Sequence, residues 1–428
     1  MYEAKMKLTE EQQAILNGRD GEVKAKVMET IVRYGDMFGA TELIPVTHGE
    51  GHLVTSFGLS LLKPVYRTMD ELIGAGLKVP EGFTMDPRPV DLKNVKCNLL
   101  DKLLFTKILY GAQGRYEDQL TKLGLVNKDA FSCACYFDEM GNVPKKGDIL
   151  SWAESSAVNY ANSVLGARCN RNSGMIDIFG SILGYVPKFG LLTDEGRKAK
   201  WKVIVKCEKR PIPQILGSAV GLKVMEDVPY VIGLDKWIGT ELNDEAKDFL
   251  KDFGAATASN GAVGLYHIDK ITPEAKEMGE ALLVDDYKEY VIDDAELERV
   301  YQSYPVMWKH PEKDGTLAFI GCPHLSRTQL EEWADKIING LKETGKGKVR
   351  CQTVLCTAPP IREAFEKTEK YQELMKTGAS VTSICPLMYT SNPLTHSRNL
   401  MTCSNKLRTY SMARYFKDDE LLNYIVGR

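Results

Sequence analysis

Apolar residues at helical spacing predict three helical stretches in the first half of the chain. The first follows a capping-box pattern at Thr9 and Gln12. The second is the apolar stripe of residues 99–109, most of which we assign to core packing, and the third covers residues 152–165. Prolines within residues 80–91 exclude a regular helix or a central strand there and predict an ordered loop.

The last third of the chain shows the alternation of strands and helices that is typical of a parallel sheet. Residues 316–321, 349–355 and 380–385 are short apolar runs, and a helical pattern follows each of the first two. Such strands pair in parallel through right-handed crossovers, and ligands bind beyond their carboxyl ends. Cys322 and Cys385 lie at those ends.

The whole pattern predicts an α/β fold class with several α/β units and mostly parallel, doubly wound sheets. It divides the chain into three parts. They are a mostly helical and loop-rich part at 1–200, an α/β part at 201–315, and a β-α-β-α-β part at 316–428.

Composition and charge then exclude several kinds of partner. Hydrophobic residues make up 43% and charged residues 26% of the chain, as in ordinary folded proteins. The formal net charge of −3 offers no basic field for nucleic acid. The chain has neither an export signal at its start nor an apolar run long enough to cross a membrane. We expect a cytoplasmic protein with reduced thiols.

The ten cysteines leave metal or cluster ligation open. Cys133, Cys322 and Cys385 are dispersed in sequence but lie at predicted loops or strand ends, which suits an iron–sulfur cluster with one iron left open. Ordinary buried cysteines are the alternative interpretation. Cys135 competes with Cys133 for the first position.

The densest polar run starts on the third predicted helix and continues beyond its end. An arginine pair beside a helix end is a natural clamp for a carboxylate, because each guanidinium binds two oxygens. The run consists of Glu154, Ser155, Ser156, Arg168, Asn170 and Arg171. A second polar loop, at 47–52, carries His48 between two predicted elements.

The stretch 152–171 closely resembles the signature of aconitase X, the divergent branch of the aconitase superfamily. Further blocks agree in order and extend the resemblance over nearly the whole chain. They are Leu8-Thr-Glu-Glu, Gly141-Asn-Val-Pro144, residues 259–267, Gly321-Cys-Pro-His-Leu-Ser326, and Ser404 with Lys406.

The resemblance implies an aconitase-like fold and hydro-lyase chemistry assisted by an iron–sulfur cluster, either 2Fe-2S or 4Fe-4S. Cys133, Cys322 and Cys385 are then the expected cluster ligands. The expected catalytic groups are Ser155, Ser156, Lys406 and His48, and the expected substrate-binding groups are Glu154, Arg168, Asn170, Arg171 and Ser404.

Members of the family act on cis-3-hydroxy-L-proline or on mevalonate 5-phosphate. We favour the hydroxyproline-type acid, because nothing in the sequence resembles a dedicated phosphate loop. Two departures from the family pattern bear on the substrate: Ser383-Ile-Cys-Pro-Leu-Met388 replaces an Asp-Thr-Cys pattern, and the loop 47–52 is altered.

The resemblance also implies a partner. The superfamily places a catalytic serine on a small swivelling domain, and we expect a separate small subunit to supply that domain. Two other classes of protein remain open. A Rossmann-like oxidoreductase would lack its usual G-x-G-x-x-G fingerprint here, and a non-catalytic iron–sulfur or redox-sensing protein would not need the polar run.

Overall fold

The computed structural model describes residues 2–392, 395 and 398–428. Its secondary structure is a mixture of helices and mostly parallel sheets, in agreement with the predicted α/β fold class. The two larger sheets have four and five strands, and both are entirely parallel.

The first part of the chain surrounds two small two-stranded sheets with helices. Its strands are β1 (Leu43–Pro45), β2 (Gly51–Leu53), β3 (Phe83–Met85) and β4 (Tyr185–Pro187). Its helices are α1 (Glu10–Leu16), α2 (Glu22–Met37), α3 (Lys63–Gly74), α4 (Leu99–Leu103), α5 (Gln113–Leu123), α6 (Ser155–Tyr160) and α7 (Gly174–Leu183). Helices α4 and α6 continue as π-helical segments, Leu104–Leu109 and Ala161–Leu165. The capping box predicted at Thr9 and Gln12 is present at the start of α1.

The second part contains the four-stranded sheet, in the order β7-β6-β5-β8. Its strands are β5 (Ala199–Val205), β6 (Pro229–Ile232), β7 (His267–Ile268) and β8 (Leu283–Ile292). Its helices are α8 (Pro213–Val224), α9 (Asp235–Ile238), α10 (Asp244–Gly261), α11 (Pro273–Met278) and α12 (Asp294–Gln302). Three short 3₁₀ turns lie before β5 and β8, at Gly190–Leu192, Glu195–Arg197 and Gly279–Leu282.

The third part contains the five-stranded sheet, in the order β11-β10-β9-β12-β13. Its strands are β9 (Leu317–Leu325), β10 (Gln352–Thr357), β11 (Ser380–Thr382), β12 (Leu400–Thr402) and β13 (Arg414–Tyr415). Its helices are α13 (Arg327–Glu343), α14 (Pro359–Phe365), α15 (Glu369–Lys376), α16 (Pro386–Thr390), α17 (Asn405–Tyr410) and α18 (Asp418–Val426). The predicted parallel pairing of β9, β10 and β11 is confirmed.

The prediction that the apolar stripe at 99–109 belongs to the core is wrong. The side chains of Leu99, Leu100, Leu103 and Ile108 are between 47 and 72% exposed. The segment packs inward through Phe105, which is fully buried. A helix buries one face, so these four side chains face solvent, while Leu104 and Leu109 are half-buried.

Two smaller predictions also need correction. Residues 80–91 are not all loop, because they contain β3, which pairs in parallel with β2. The helix predicted between β10 and β11 is two helices, α14 and α15, since the former ends at Phe365 and the latter begins at Glu369 after its cap. None of the helices in the described ranges combines the length and apolar character that a membrane crossing requires.

Helices α8 and α10 pack closely because glycines lie at their contact. A Cβ atom added at Gly221 would lie 2.8 Å from the carbonyl oxygen of Thr257, and one added at Gly261 would meet the backbone of Gly221. Small residues therefore set the distance between these two helices, on which the middle part is built.

We expect Gly221→Ala to lower the free energy of unfolding by about 1–3 kcal/mol, because the added methyl group overpacks this contact. Gly74→Ala is the matched control, since Gly74 ends α3 with no atom within 4 Å of its would-be Cβ. That variant should be neutral or stabilising by up to about 1 kcal/mol. Thermal unfolding measures both, and equal stability of the two variants would contradict the packing argument.

Candidate active site

A cavity of about 270 Å³ lies where the carboxyl ends of β9 and β11 meet the first part of the chain. Its walls come from separate segments, and its polar lining includes three thiols, two carboxyls, a hydroxyl and an ammonium group. These are Cys133, Cys322, Cys385, Asp86, Glu154, Ser155 and Lys406. Apolar walls are supplied by Val54, Phe57, Pro87, Pro386 and Leu387, among others.

The structure brings the three predicted cysteines to this one cavity. Cys322 lies on β9, and Cys385 is the residue that precedes the first turn of α16. Cys133 lies in the loop before Tyr136, where its sulfur accepts a hydrogen bond from the backbone N–H of His324 at 3.4 Å. Cys135 does not line the cavity and is fully buried in an apolar core cluster.

The three thiols that line this cavity are the donor type that iron–sulfur clusters take from proteins. In the described ranges, no three His, Cys, Asp or Glu side chains converge closely enough to hold a metal ion. Burial raises the pKa of the thiols of Cys133, Cys322 and Cys385, and a bound cation would deprotonate them.

A buried ion pair joins Glu154 and Lys406 at the cavity wall. Glu154 caps α6, where its Oε2 accepts hydrogen bonds from the N–H of Ala157 at 2.6 Å and from Ser156 Oγ at 2.7 Å. Burial alone would raise the pKa of the Glu154 carboxyl, but the Lys406 ammonium and these hydrogen bonds lower it. Both members of the pair are therefore charged at neutral pH.

The two predicted serines differ in their surroundings. Ser156 is held within the ion pair, because its hydroxyl also accepts a hydrogen bond from Lys406 Nζ at 3.2 Å. Ser155 lines the cavity and lies 3.4 Å from Glu154 Oε1, so its hydroxyl is weakly held. Of the two, Ser155 is the one placed to contact a bound molecule.

Asp86 and His52 are functional candidates that the sequence reasoning missed. The Asp86 carboxyl lines the cavity, and its Oδ1 is buried without a hydrogen-bond partner among the described residues. The Nε2 of His52 lies 3.7 Å away, while Nδ1 of that ring contacts Thr84 Oγ1 at 2.9 Å. Burial and the nearby Glu154 charge raise the pKa of the Asp86 carboxyl.

Arg171 is the predicted arginine that lies near this cavity. Its guanidinium is within electrostatic range of Glu154 and Tyr410, both of which line the cavity. Its Nη1 is buried and has no hydrogen-bond partner in the part of the chain that the structure describes. A buried, unpaired guanidinium N–H is costly unless an anionic ligand accepts from it.

Six predicted residues do not line the cavity: Ser156 and Arg171, described above, and four whose side chains have other partners. Arg168 pairs at the surface with Asp194, and the Asn170 amide bonds to the backbone of Phe189 and Leu191. His48 Nε2 contacts Asn142 Oδ1 at 2.7 Å, and the Ser404 hydroxyl donates to the Cys322 carbonyl and caps α17. Ser404 thus holds the backbone of a cavity cysteine.

A thiol-lined, charged cavity at the carboxyl ends of parallel strands is the arrangement of an α/β enzyme. Models of the aconitase X first, second and third domains match residues 5–195, 199–302 and 316–418. The chain therefore belongs to the aconitase X family, and it is a hydro-lyase of that type.

Relatives and a solved structure agree with this membership. Phosphomevalonate dehydratase large subunits from Thermococcus kodakarensis and Methanosarcina mazei are 32% and 31% identical, over 77% and 95% of this chain and 77% and 92% of theirs. Cis-3-hydroxy-L-proline dehydratase from Hypocrea jecorina is 27% identical over 95% of this chain and 65% of its own. The holo-form crystal structure of Thermococcus kodakaraensis aconitase X superposes with a TM-score of 0.78 at 27% identity, over 98% of this chain and 100% of that one.

We expect Glu154→Gln to destabilise the protein by about 3–5 kcal/mol, because it leaves the Lys406 ammonium buried without its carboxylate. The double variant Glu154→Gln, Lys406→Met removes both charges and should recover most of the lost stability. Thermal unfolding compares the three proteins. A single variant as stable as the unmodified protein would show that the ion pair contributes nothing to the fold.

Proposed function

We propose that this chain is the large subunit of an iron–sulfur hydro-lyase that removes water from mevalonate 5-phosphate. The observation that carries the proposal is the shared cavity of Cys133, Cys322 and Cys385 with the charged pair of Glu154 and Lys406. The cavity thus combines thiols that suit a cluster with a fixed pair of charges that suits a polar substrate.

The choice of substrate departs from the preference stated from sequence. The Methanosarcina mazei and Hypocrea jecorina proteins each match 95% of this chain, at 31% and 27% identity respectively. This chain spans 92% of the former and 65% of the latter. Cis-3-hydroxy-L-proline is kept as the second candidate because of the named hydroxyproline relative.

Both candidate substrates need the same chemistry from the protein. Each is an acid with its hydroxyl on the second carbon from the carboxyl carbon, so elimination removes that hydroxyl and a proton from the carbon between them. The Arg171 guanidinium, which lies near the cavity residues Glu154 and Tyr410, is suited to bind the carboxylate, and Ser155 is suited to donate a hydrogen bond to it. Lys406, held charged by Glu154, stabilises the negative charge that develops as the proton leaves.

The Asp86 carboxyl is the group suited to accept that proton, since it lines the cavity and its pKa is raised. His52 orients this carboxyl from the wall. The hydroxyl oxygen leaves the substrate with its own hydrogen and takes up the proton that Asp86 has accepted, so the products are the unsaturated acid and one water molecule. Cys133, Cys322 and Cys385 would hold the cluster, which would supply a Lewis-acidic iron for the departing hydroxyl.

A small subunit is the proposed partner. Relatives of this chain carry the name large subunit, which implies a second chain in those enzymes. The proposed enzyme is therefore active as a complex of two different chains.

The function is tested on the complex, purified without oxygen and assayed with both acids. We expect bound iron and sulfide and consumption of mevalonate 5-phosphate. Turnover of cis-3-hydroxy-L-proline alone would establish the second candidate, and turnover of neither acid would overturn both. The Cys133→Ser variant should lose iron, whereas the control Cys135→Ser should retain it, because Cys135 lies in the core. The reverse result would contradict the assignment of Cys133.

We expect Asp86→Asn to reduce kcat at least about 100-fold, because the amide accepts no proton. The pKa of Asp86 is higher in the folded protein than in the unfolded chain, where it is about 4. The folded protein therefore loses stability as the pH rises from the unfolded pKa through the folded pKa, because Asp86 then has to ionise in a buried position. The variant should thus be at least as thermally stable as the parent at neutral pH.

Asp177→Asn is the matched control. The pKa of this buried carboxyl is also raised by burial, but the carboxyl accepts from Asn172 and Ser151 away from the cavity. It should keep its kcat. Unchanged turnover in Asp86→Asn would show that another group removes the proton.

A further inference from the structure

Two further leucines extend the exposed apolar stripe of residues 99–109. Leu61 and Leu62 are also exposed, and they lie beside the stripe because the N–H of Ser60 donates to the Leu109 carbonyl at 2.7 Å. We call this surface the leucine face. It consists of Leu61, Leu62, Leu99, Leu100, Leu103 and Ile108, which are between 37 and 76% exposed.

The charged residues around the leucine face share one sign. Lys63, Arg67, Lys102 and Lys107 are exposed, and none of them forms an ion pair with any residue that the structure describes. The one acidic residue in segments 59–69 and 99–112 is Asp101, which is buried. A surface that complements this face is apolar at its centre and acidic at its rim.

The leucine face and the candidate active site are connected through one apolar cluster, because Leu387, which lines the cavity, packs against the cluster that contains Phe105. Phe105, on the inner side of the same segment, packs in one apolar cluster with Cys322. Tyr110 donates from its hydroxyl to the Met388 carbonyl at 2.8 Å and lies within electrostatic range of Cys385. A protein bound to this face would therefore stand at the edge of the cavity.

We infer that the leucine face is the surface on which the small subunit docks, through an apolar patch with an acidic rim. This assignment depends on the proposed two-chain enzyme, because that enzyme supplies the partner. Contiguous exposed apolar side chains mark interaction sites. A membrane surface also accepts leucines flanked by lysines, but the proposed enzyme needs its small subunit close to the cavity, and the apolar cluster beneath the leucine face reaches the cavity wall.

Leu103→Glu tests the assignment, with Leu222→Glu as its matched control. Leu222 is also an exposed helical leucine, at 50% against 47% for Leu103, and it lies on α8 in another part of the chain. Isothermal titration with the small subunit should give a Kd raised at least about tenfold for Leu103→Glu. The control should bind within about twofold of the parent chain.

Charge reversal provides a second, independent measurement. Lys102→Glu with Lys107→Glu should weaken binding most at low salt, and the difference from the parent should shrink as the salt concentration rises. Both sets of variants keep the cavity residues unchanged. Far-ultraviolet circular dichroism of each variant verifies that it is folded before titration.

Several outcomes would overturn the assignment. They are no binding of the small subunit to the parent chain, equal binding by Leu103→Glu, or a Leu103→Glu effect confined to sedimentation with anionic phospholipid vesicles. The activity assay tests the proposed function independently of the binding measurement. If the complex forms and Leu103→Glu weakens it, but neither hydroxy acid is consumed, the docking surface stands and the function falls.

Discussion

The buried pair of Glu154 and Lys406 is the interaction on which the cavity depends. The two residues are 252 positions apart, and they connect the first turn of α6 with the first turn of α17 across the cavity wall. Burying two charges costs several kcal/mol each, and the pair offsets this only through close approach and the hydrogen bonds around it. A fold retains such a costly pair where fixed charge is needed, and here the charge faces the space that the thiols share.

Hydrogen bonds from distant segments of the chain also position the cavity cysteines. The Ser404 hydroxyl donates to the Cys322 carbonyl, and the backbone N–H of Cys385 donates to the Arg88 carbonyl at 2.8 Å. The Cys133 sulfur accepts from the His324 backbone. Each thiol is thus fixed by a segment distant in sequence, so the cavity is shaped by tertiary contacts and not by one local motif.

Sequence patterning predicts the parts of the fold that follow from local rules. The capping box at Thr9 and the parallel order of β9, β10 and β11 depend on short-range signals, and the structure contains both. The sequence analysis did not identify Asp86 and His52 as site residues, because their proximity arises from the parallel pairing of β2 with β3, in which His52 lies opposite Thr84. The sequence alone carries no signal for that register. Similarly, periodicity identifies the apolar face of residues 99–109 but not whether the chain itself covers it.

The origin of the three cysteines determines when the site comes into being. Cys133 belongs to the first part of the chain and Cys322 and Cys385 to the last part, so a long stretch of chain separates them. Closing such loops costs entropy that only the finished fold repays. A growing chain that has left the ribosome only through its first two parts still lacks Cys322 and Cys385, so the three thiols come together only after the last part has been made and has folded.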